Sequence, residues 1–425
     1  MALTKEEKYR KLLFETAKNI FLTGPAGTGK TTLIKEYIEK FPNTLVCAST
    51  GMAAVTAGGI TMHKVYSIPI PAYGANLKKI TGSKLKELIL ADTVIIDEIS
   101  MARNDAFAFA MKVHKKAEKE KGKKIRLIVV GDFSQLPPVV TKEDAKYLKK
   151  FKFDPSGFVF TTKEWQQMKF STICLEDVKR QDNREFIDNL NLSRIGNKKC
   201  IPYFNQFVNN NYPEDAIRVC GTNAEADRLN REYLDSIEGM SVAYQAVKTG
   251  RPGNILIDDI ILLKPGIRVY FTVNDNINNQ YVNGMFGTIL TCDEKYVDVE
   301  KDNGDIIRVT PHIYRIYSYK INNGAICKTE IGTISQIPLK IAKAITIHKS
   351  QGKTFDKIVL SPQIFAPGQL YVALSRVRTP EGLFITEPIT SDTLKCDKNV
   401  AKFYKNDFKW EAKKVPPKRG KGNEK

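Results

Sequence analysis

"NIFLTGPAGTGKTTLIKEYIEK", residues 19–40, decides the fold. An apolar run leads into Gly24-x-x-x-x-Gly29-Lys30-Thr31, and a stretch with helical period follows. Strand, glycine loop and helix together are the context that makes G-x-x-x-x-G-K-[ST] a specific phosphate-binding motif. Gly24, Gly27 and Gly29 let the backbone curl so that its N–H groups face an anion, and the following helix points its positive end the same way. Lys30 is expected to reach the β- and γ-phosphates, and Thr31 to ligate Mg²⁺. Thr28 and Thr32 complete the nucleotide-binding set.

Similar apolar runs continue outward: TLVCAST (44–50), TVIIDE (93–98) and RLIVVGD (126–132). They read as parallel strands buried on both faces, with a site at their carboxyl ends. Helical stretches KTTLIKEYIEK and NDAFAFAMKVHKKAEKEK lie between them. Asp97 ends a strand, where a carboxylate can hold Mg²⁺. Glu98 beside it can orient and deprotonate an attacking water. Gln135, in VVGDFSQLPPV, is either a γ-phosphate sensor or part of a polar loop capped by Pro137-Pro138. An arginine must offset charge on the transferring phosphoryl group. Arg180 in VKRQDN and Arg376 in VALSRVR are the candidates, and both would reach the nucleotide only when two domains close.

A second strand set follows: AIRVCGTN (216–223), KAITIHKSQG (343–352), KIVLSP (357–362) and LFIT (383–386). Between about 260 and 340 the texture changes to alternating runs separated by Asn, Gly and Asp, the pattern of a small antiparallel barrel inserted into a second α/β domain. SIPIPAYGANLKKITG (67–82) reads as an excursion from the first domain. The tail KKVPPKRGKGNEK is basic, poor in apolar residues and expected to be disordered.

The chain has 425 residues, enough for two to four domains, with 42% hydrophobic and 27% charged residues. No run of ~18 apolar residues suggests a membrane span. The charged start MALTKEEKYRKLLFE lacks a signal peptide's apolar core, so an intracellular protein is expected. Seven scattered cysteines and four histidines, with no C-x-x-C pair, argue for reduced thiols and against zinc. A formal charge of +19 reads either as a solvated, soluble surface or, more pointedly, as the mark of a polyanionic partner.

The ordered set GPAGTGKT, ASTGMAAVTAGGITMHKVY, DEISM, GDFSQLPPV, KRQDN, TIHKSQGKT and YVALSRVRTPEGL resembles a superfamily 1 helicase of the RecD-like branch, most closely the petite-integration-frequency (PIF-type) DNA helicases. The resemblance covers roughly nine-tenths of the chain. It implies an α/β fold of two RecA-like P-loop domains with ATP and Mg²⁺ between them, a small wedge insertion and an inserted SH3-like β-barrel. The implied boundaries are 1–174 for domain 1A with its wedge at about 65–85, 175–262 and 340–400 for domain 2A, 263–339 for the barrel and 411–425 for the tail. Single-stranded DNA would cross the top, with 5′-to-3′ translocation and unwinding of forked or structured DNA. A monomeric motor of bacterial or phage type, able to self-associate on DNA, is expected. The resemblance puts Lys30, Thr31, Asp97, Glu98, Gln135, Arg180 and Arg376 at the ATP site. This chain departs from related helicases in having no Gln before Gln135 to read adenine. The choice among nucleoside triphosphates therefore stays open.

Thr50, Thr61 and His63 of the first domain, and Thr222, Asn223, His348 and Lys349 of the second, are the candidate DNA contacts. His63 and His348 also admit a purely structural reading, and Tyr66 and Tyr73 are either stacking or packing aromatics. A second Gly-Lys-Thr occurs at 352–354. Its fifth residue back is Ile347, read as part of an apolar strand, where the first loop has Gly24. The stretch is therefore expected not to form a second pocket. Gly352 and Lys353 would instead lie near the triphosphate of the one shared ATP. A translocase that does not separate strands and a nucleotide-gated binding module remain as other readings.

Overall fold

A computed structural model describes residues 4–408 apart from 58, 71, 73–81, 252–256, 276–277, 323–324 and 363–365. The first half is built on six parallel strands: β1 (Ile20–Thr23), β2 (Thr44–Ala48), β3 (Ile60–Thr61), β4 (Thr93–Asp97), β5 (Arg126–Val130) and β6 (Ser171–Cys174). Their order is β3-β2-β4-β5-β1-β6. Every residue of β1, β2 and β5 is buried, as the unbroken apolar runs require of strands covered on both faces. The helix Asn104–Lys121 is buried over most of its length and ends at Gly122 in a left-handed cap.

The second half carries a four-stranded parallel sheet. Its strands are β7 (Ile217–Cys220) and, far along the chain, β18 (Ala344–Thr346), β19 (Ile358–Leu360) and β20 (Leu383–Ile385), in the order β18-β7-β19-β20. Antiparallel strands fill the gap: β8 (Val242–Gln245), β9 (Val247–Gly250), β10 (Ile260–Leu263), β11 (Arg268–Phe271), β12 (Phe286–Cys292), β13 (Val297–Lys301), β14 (Ile306–Val309), β15 (His312–Asn322), β16 (Ala325–Gln336) and β17 (Leu339–Ile341). They occupy a wider span than 263–339. Five of them form a sheet ordered β14-β13-β12-β11-β17, whose inner residues Val269, Phe271, Ile289, Val297 and Val299 make a separate core. Among the described residues this sheet has two edges, β14 and β17, rather than a closed ring. The long β15–β16 hairpin pairs with β9 and lies against the helix Gly82–Leu90 of the first half.

The C-terminal helix Lys398–Phe408 crosses back to the first half, where Val400, Phe403 and Tyr404 join the core of Phe21, Phe133 and Trp165. Residues 71 and 73–81 of the 65–85 excursion, Tyr73 among them, and the 411–425 tail lie outside the described residues. No described helix is long and apolar enough to cross a membrane.

Candidate functional site

A cavity of about 640 Å³ opens where the carboxyl ends of β1, β4 and β5 meet the second half. From the first half it is lined by residues 26–32, Asp97, Glu98, Gly131 and Gln135. From the second come Lys179, Arg180, Asp182, Gly352, Thr354, Arg376 and Arg378.

Gly29 takes a left-handed conformation at φ 84° and opens the helix Lys30–Lys40 without a side-chain cap. The first-turn N–H groups are thus left for an anion. Lys30 Nζ donates to the carbonyls of Gly24 (2.8 Å) and Pro25 (2.9 Å), holding the loop curled. Burial pushes the Lys30 pKa down, against the nearby carboxylates of Asp132, Glu98 and Asp97. The Thr28 hydroxyl donates to Pro25 O at 3.0 Å, inside the loop. Thr31 and Thr32 line the cavity at the start of the helix.

Across the cavity, Glu98 is a non-glycine residue at φ 50°, ψ 46°. Such backbone strain, about 1–3 kcal/mol, is concentrated at working sites. It turns the Glu98 N–H onto Asp97 Oδ1 at 2.8 Å. Burial raises both carboxyl pKa values, and Glu98, with Asp97 beside it, is pushed up to about 7. Gln351 Nε2 donates to Glu98 Oε2 at 3.0 Å and stands 3.5 Å from Gln135 Oε1. The Thr31 hydroxyl and the Asp97 carboxylate offer hard oxygen donors to one cavity, a donor set that suits Mg²⁺ together with phosphate oxygens.

Arg180 and Arg376 supply positive charge. Among the described residues their donors meet only carbonyl and hydroxyl oxygens. Arg180 bonds Ser375 O, and Arg376 bonds the carbonyls of Val372, Ser350 and Lys353 and the Ser375 hydroxyl. Burial lowers Arg180 and drives Arg376, 1% exposed, well below its usual value, with the Arg180 charge adding to the effect. Two desolvated guanidiniums beside a cavity, neither bonded to a carboxylate among the described residues, are chemically suited to an anion.

One expected cavity residue points elsewhere. Gly352 lines the cavity, but Lys353 Nζ turns away to Asn283 Oδ1 at 2.6 Å. Gly352, at φ +79°, turns the chain between Gln351 and Lys353, and the Lys353 carbonyl, not its ammonium, meets Arg376. Ile347 opens a short helix, Ile347–Ser350, instead of continuing a strand, because Thr346 caps the backbone there. Tyr66 is fully buried, its hydroxyl 3.1 Å from His114 Nδ1, and so packs the core.

The candidate DNA contacts share one geometry. Thr50, Thr61 and Thr222 each stand at or just beyond the end of a parallel strand and accept a backbone N–H three residues on, at 3.2, 3.4 and 3.3 Å. Thr346, which sequence reasoning did not single out, does the same with Lys349 N at 3.3 Å. Each hydroxyl keeps its hydrogen as a donor. Asn223 and Lys349 are exposed; His63 and His348 are half-buried, and burial lowers both imidazoles.

Other functional neighbours went unread in the sequence. The Ala26 N–H donates to the Tyr371 hydroxyl at 2.8 Å, joining the phosphate loop to the second half. Asp132, at the end of β5, takes two bonds from Arg194 (2.9 and 2.8 Å) and one from the Tyr404 hydroxyl (2.9 Å), all buried. Burial opposes the Asp132 charge, but Arg194, Lys30 and Tyr404 hold its pKa below the usual carboxylate range. The same carboxylate accepts the Ser134 N–H and fixes the turn that carries Gln135.

The PIF1-like helicase family profile matches residues 5–201. The ATP-dependent DNA helicase Pif1 of Campylobacter jejuni is 31% identical, over 94% of this chain and 96% of its own. That of Bdellovibrio bacteriovorus is also 31% identical, over 95% and 92%. Bacteroides sp. Pif1 in complex with ADP-AlF4 superposes with a TM-score of 0.85 at 32% identity, covering 96% of this chain and 98% of that one. Bacteroides Pif1 bound to ssDNA gives 0.66 at 32% identity, over 95% and 97%. With these matches along nearly its whole length, the chain belongs to the PIF1-like helicase family.

Proposed function

We propose that the protein is an ATP-dependent DNA helicase that moves 5′-to-3′ along single-stranded DNA and separates duplex ahead of it, as a monomeric motor. The observation that carries this reading is the cavity itself: a phosphate loop, two acidic residues and two arginines that, among the described residues, bond no carboxylate, contributed by two α/β halves. In this reading residues 1–174 are the RecA-like domain 1A, and 175–262 with 340–400 are domain 2A. The antiparallel insertion is the SH3-like element, and the 65–85 excursion is the wedge.

Lys30 binds the β- and γ-phosphates, with the loop N–H groups around them. Thr31 and Asp97 would hold Mg²⁺, which offsets phosphate charge when bound. Glu98 takes the proton of the attacking water, and Gln351 orients that carboxylate. Gln135 senses the γ-phosphate. Arg180 and Arg376 exchange their carbonyl partners for phosphate oxygens, which stabilises the transition state and draws the halves together. The threonine hydroxyls at 50, 61 and 222, with Asn223, Lys349, His63 and His348, grip the DNA backbone without reading bases, while buried Thr346 caps the turn that carries His348 and Lys349.

Forks with either a 5′ or a 3′ single-stranded tail, incubated with ATP, test the proposal. Only the 5′-tailed fork should open, ATPase should rise with single-stranded DNA, and DNA affinity should fall steeply with salt. Equal opening of both forks would refute the polarity. ATPase indifferent to DNA would favour a nucleotide-gated binding module.

A further inference from the structure

Residues 351–355 face two ways. On one side Gly352 and Thr354 line the cavity and Gln351 reaches Glu98. On the other side the segment meets the antiparallel insertion at three points. Lys353 Nζ donates to Asn283 and stands 5.0 Å from the centre of the Tyr270 ring. A Cβ on Gly284 would come within 2.8 Å of the Thr354 carbonyl, and Gly284 has φ +92°, so the contact needs glycine on two counts. Phe355 is buried with its ring 5.7 Å from Phe286 and 6.3 Å from Tyr270. Tyr270 and Phe286 sit on β11 and β12, and Asn283 and Gly284 in the connection between them.

Arg376 ties this segment to the cavity. Its NH1 donates to the carbonyls of Ser350 and Lys353, both at 3.3 Å, and its own carbonyl accepts the Phe355 N–H at 2.9 Å. Those NH1 bonds are long and go to neutral oxygens. A bond to a phosphate oxygen is shorter and roughly twice as strong. The two NH1 bonds are the longest that Arg376 makes, so they are the first to yield when the planar fork turns onto a phosphate.

We propose that residues 351–355 are a coupling strip between the nucleotide cavity and the antiparallel insertion. Capture of Arg376 by a bound phosphate releases the Ser350 and Lys353 carbonyls. The strip then shifts, and Asn283, Gly284 and the aromatic contacts carry that shift into the insertion. Lys353 and Asn283 are positioning residues: they touch no substrate. The inference rests on the nucleotide reading above, and its test separates the two.

Backbone hydrogen exchange is measured with and without ADP, aluminium fluoride and Mg²⁺. In the wild type, nucleotide should slow exchange in the phosphate loop (residues 24–34) and change it in the 281–286 connection. In Asn283→Ala the loop response should persist while the response at 281–286 shrinks at least about threefold. Asn283→Asp, which keeps the oxygen acceptor, should restore it. DNA-stimulated kcat should fall about three- to tenfold in Asn283→Ala, with KM for ATP within about twofold. A loop response without one at 281–286 in the wild type overturns the coupling and leaves the nucleotide reading standing. A response at neither place removes both. A wild-type response in Asn283→Ala overturns the role of the Lys353–Asn283 contact.

Discussion

The chain contains Gly-Lys-Thr twice, at 29–31 and at 352–354, on opposite walls of one cavity. The two glycines adopt nearly the same left-handed backbone, φ +84° and +79°. Both lysines are pushed down in pKa by burial, Lys353 to about 8 with Lys340 adding to the effect. They serve different purposes because of what precedes them. Before Gly29, Gly24 at φ +148° turns the chain so that its carbonyl meets Lys30 Nζ, and an uncapped eleven-residue helix follows. Before Gly352 comes a single helical turn capped by Thr346, and Lys353 leaves the cavity for Asn283. A three-residue motif sets local backbone; the loop that leads into it decides whether there is an anion to bind.

The largest contrast expected is between the two lysines. Lys30→Ala should lower DNA-stimulated ATP hydrolysis by about 10²–10³-fold or more, since a charge aimed at the transferring phosphates is lost. Lys353→Ala should cost about tenfold at most, in kcat and not in KM. Steady-state ATPase on both variants measures the ratio, and comparable losses would erase the distinction between the walls.

A second contrast concerns how each wall is held. Behind Lys30 stands the buried Asp132–Arg194 pair with Tyr404; the Lys353–Asn283 bond joins a half-buried lysine to an exposed asparagine. Asp132→Asn leaves the Arg194 charge buried without its counterion, and denaturant unfolding should show a loss of about 3–5 kcal/mol. The pH dependence follows from the lowered Asp132 pKa. The carboxylate stabilises the fold above its unfolded value of 3.8, and that contribution is lost as pH falls through the still lower folded value. Wild-type stability should therefore drop in this acid window, and Asp132→Asn should lack that part of the drop.

Much of this was legible in local sequence. The helix NDAFAFAMKVHKKAEKEK spans Asn104–Lys121 as its period predicts, and TVIIDE, RLIVVGD and KIVLSP each hold a strand of the parallel sheets. An apolar run flanked by glycine or a carboxylate carries its own signal. Two kinds of feature did not. The Asp132–Arg194–Tyr404 cluster joins residues 62 and 272 positions apart, and no spacing rule links them. The β15–β16 hairpin was hidden because polar and apolar residues alternate weakly along β16, AICKTEIGTISQ, although β15 alternates over 317–322 and the Asn323-Gly324 pair that follows is a turn signal in the sequence. Lys353 was misread for a third reason: its sequence neighbours are cavity residues, but the direction of its side chain depends on a turn contributed by the insertion.

The smallest effect separates backbone from ligand most cleanly. A Cβ on Gly352 would meet nothing within 4 Å, and one on Gly29 only Lys179 Cδ at 3.8 Å. Alanine at either position therefore brings no serious clash, only the left-handed strain of about 1–2 kcal/mol. Without nucleotide, Gly29→Ala and Gly352→Ala should lose similar amounts of stability in thermal melts. With nucleotide they should part. Ligand binding stabilises in proportion to the logarithm of its affinity. Relaxing Gly29 out of its left-handed turn moves the N–H groups that face the phosphates, so the nucleotide-dependent rise in Tm should shrink sharply in Gly29→Ala. The same relaxation at Gly352 moves a wall that supplies no amide cradle, and the rise should stay near that of the wild type. Equal loss of the rise in both variants would mean that the second Gly-Lys-Thr holds the phosphates as closely as the first.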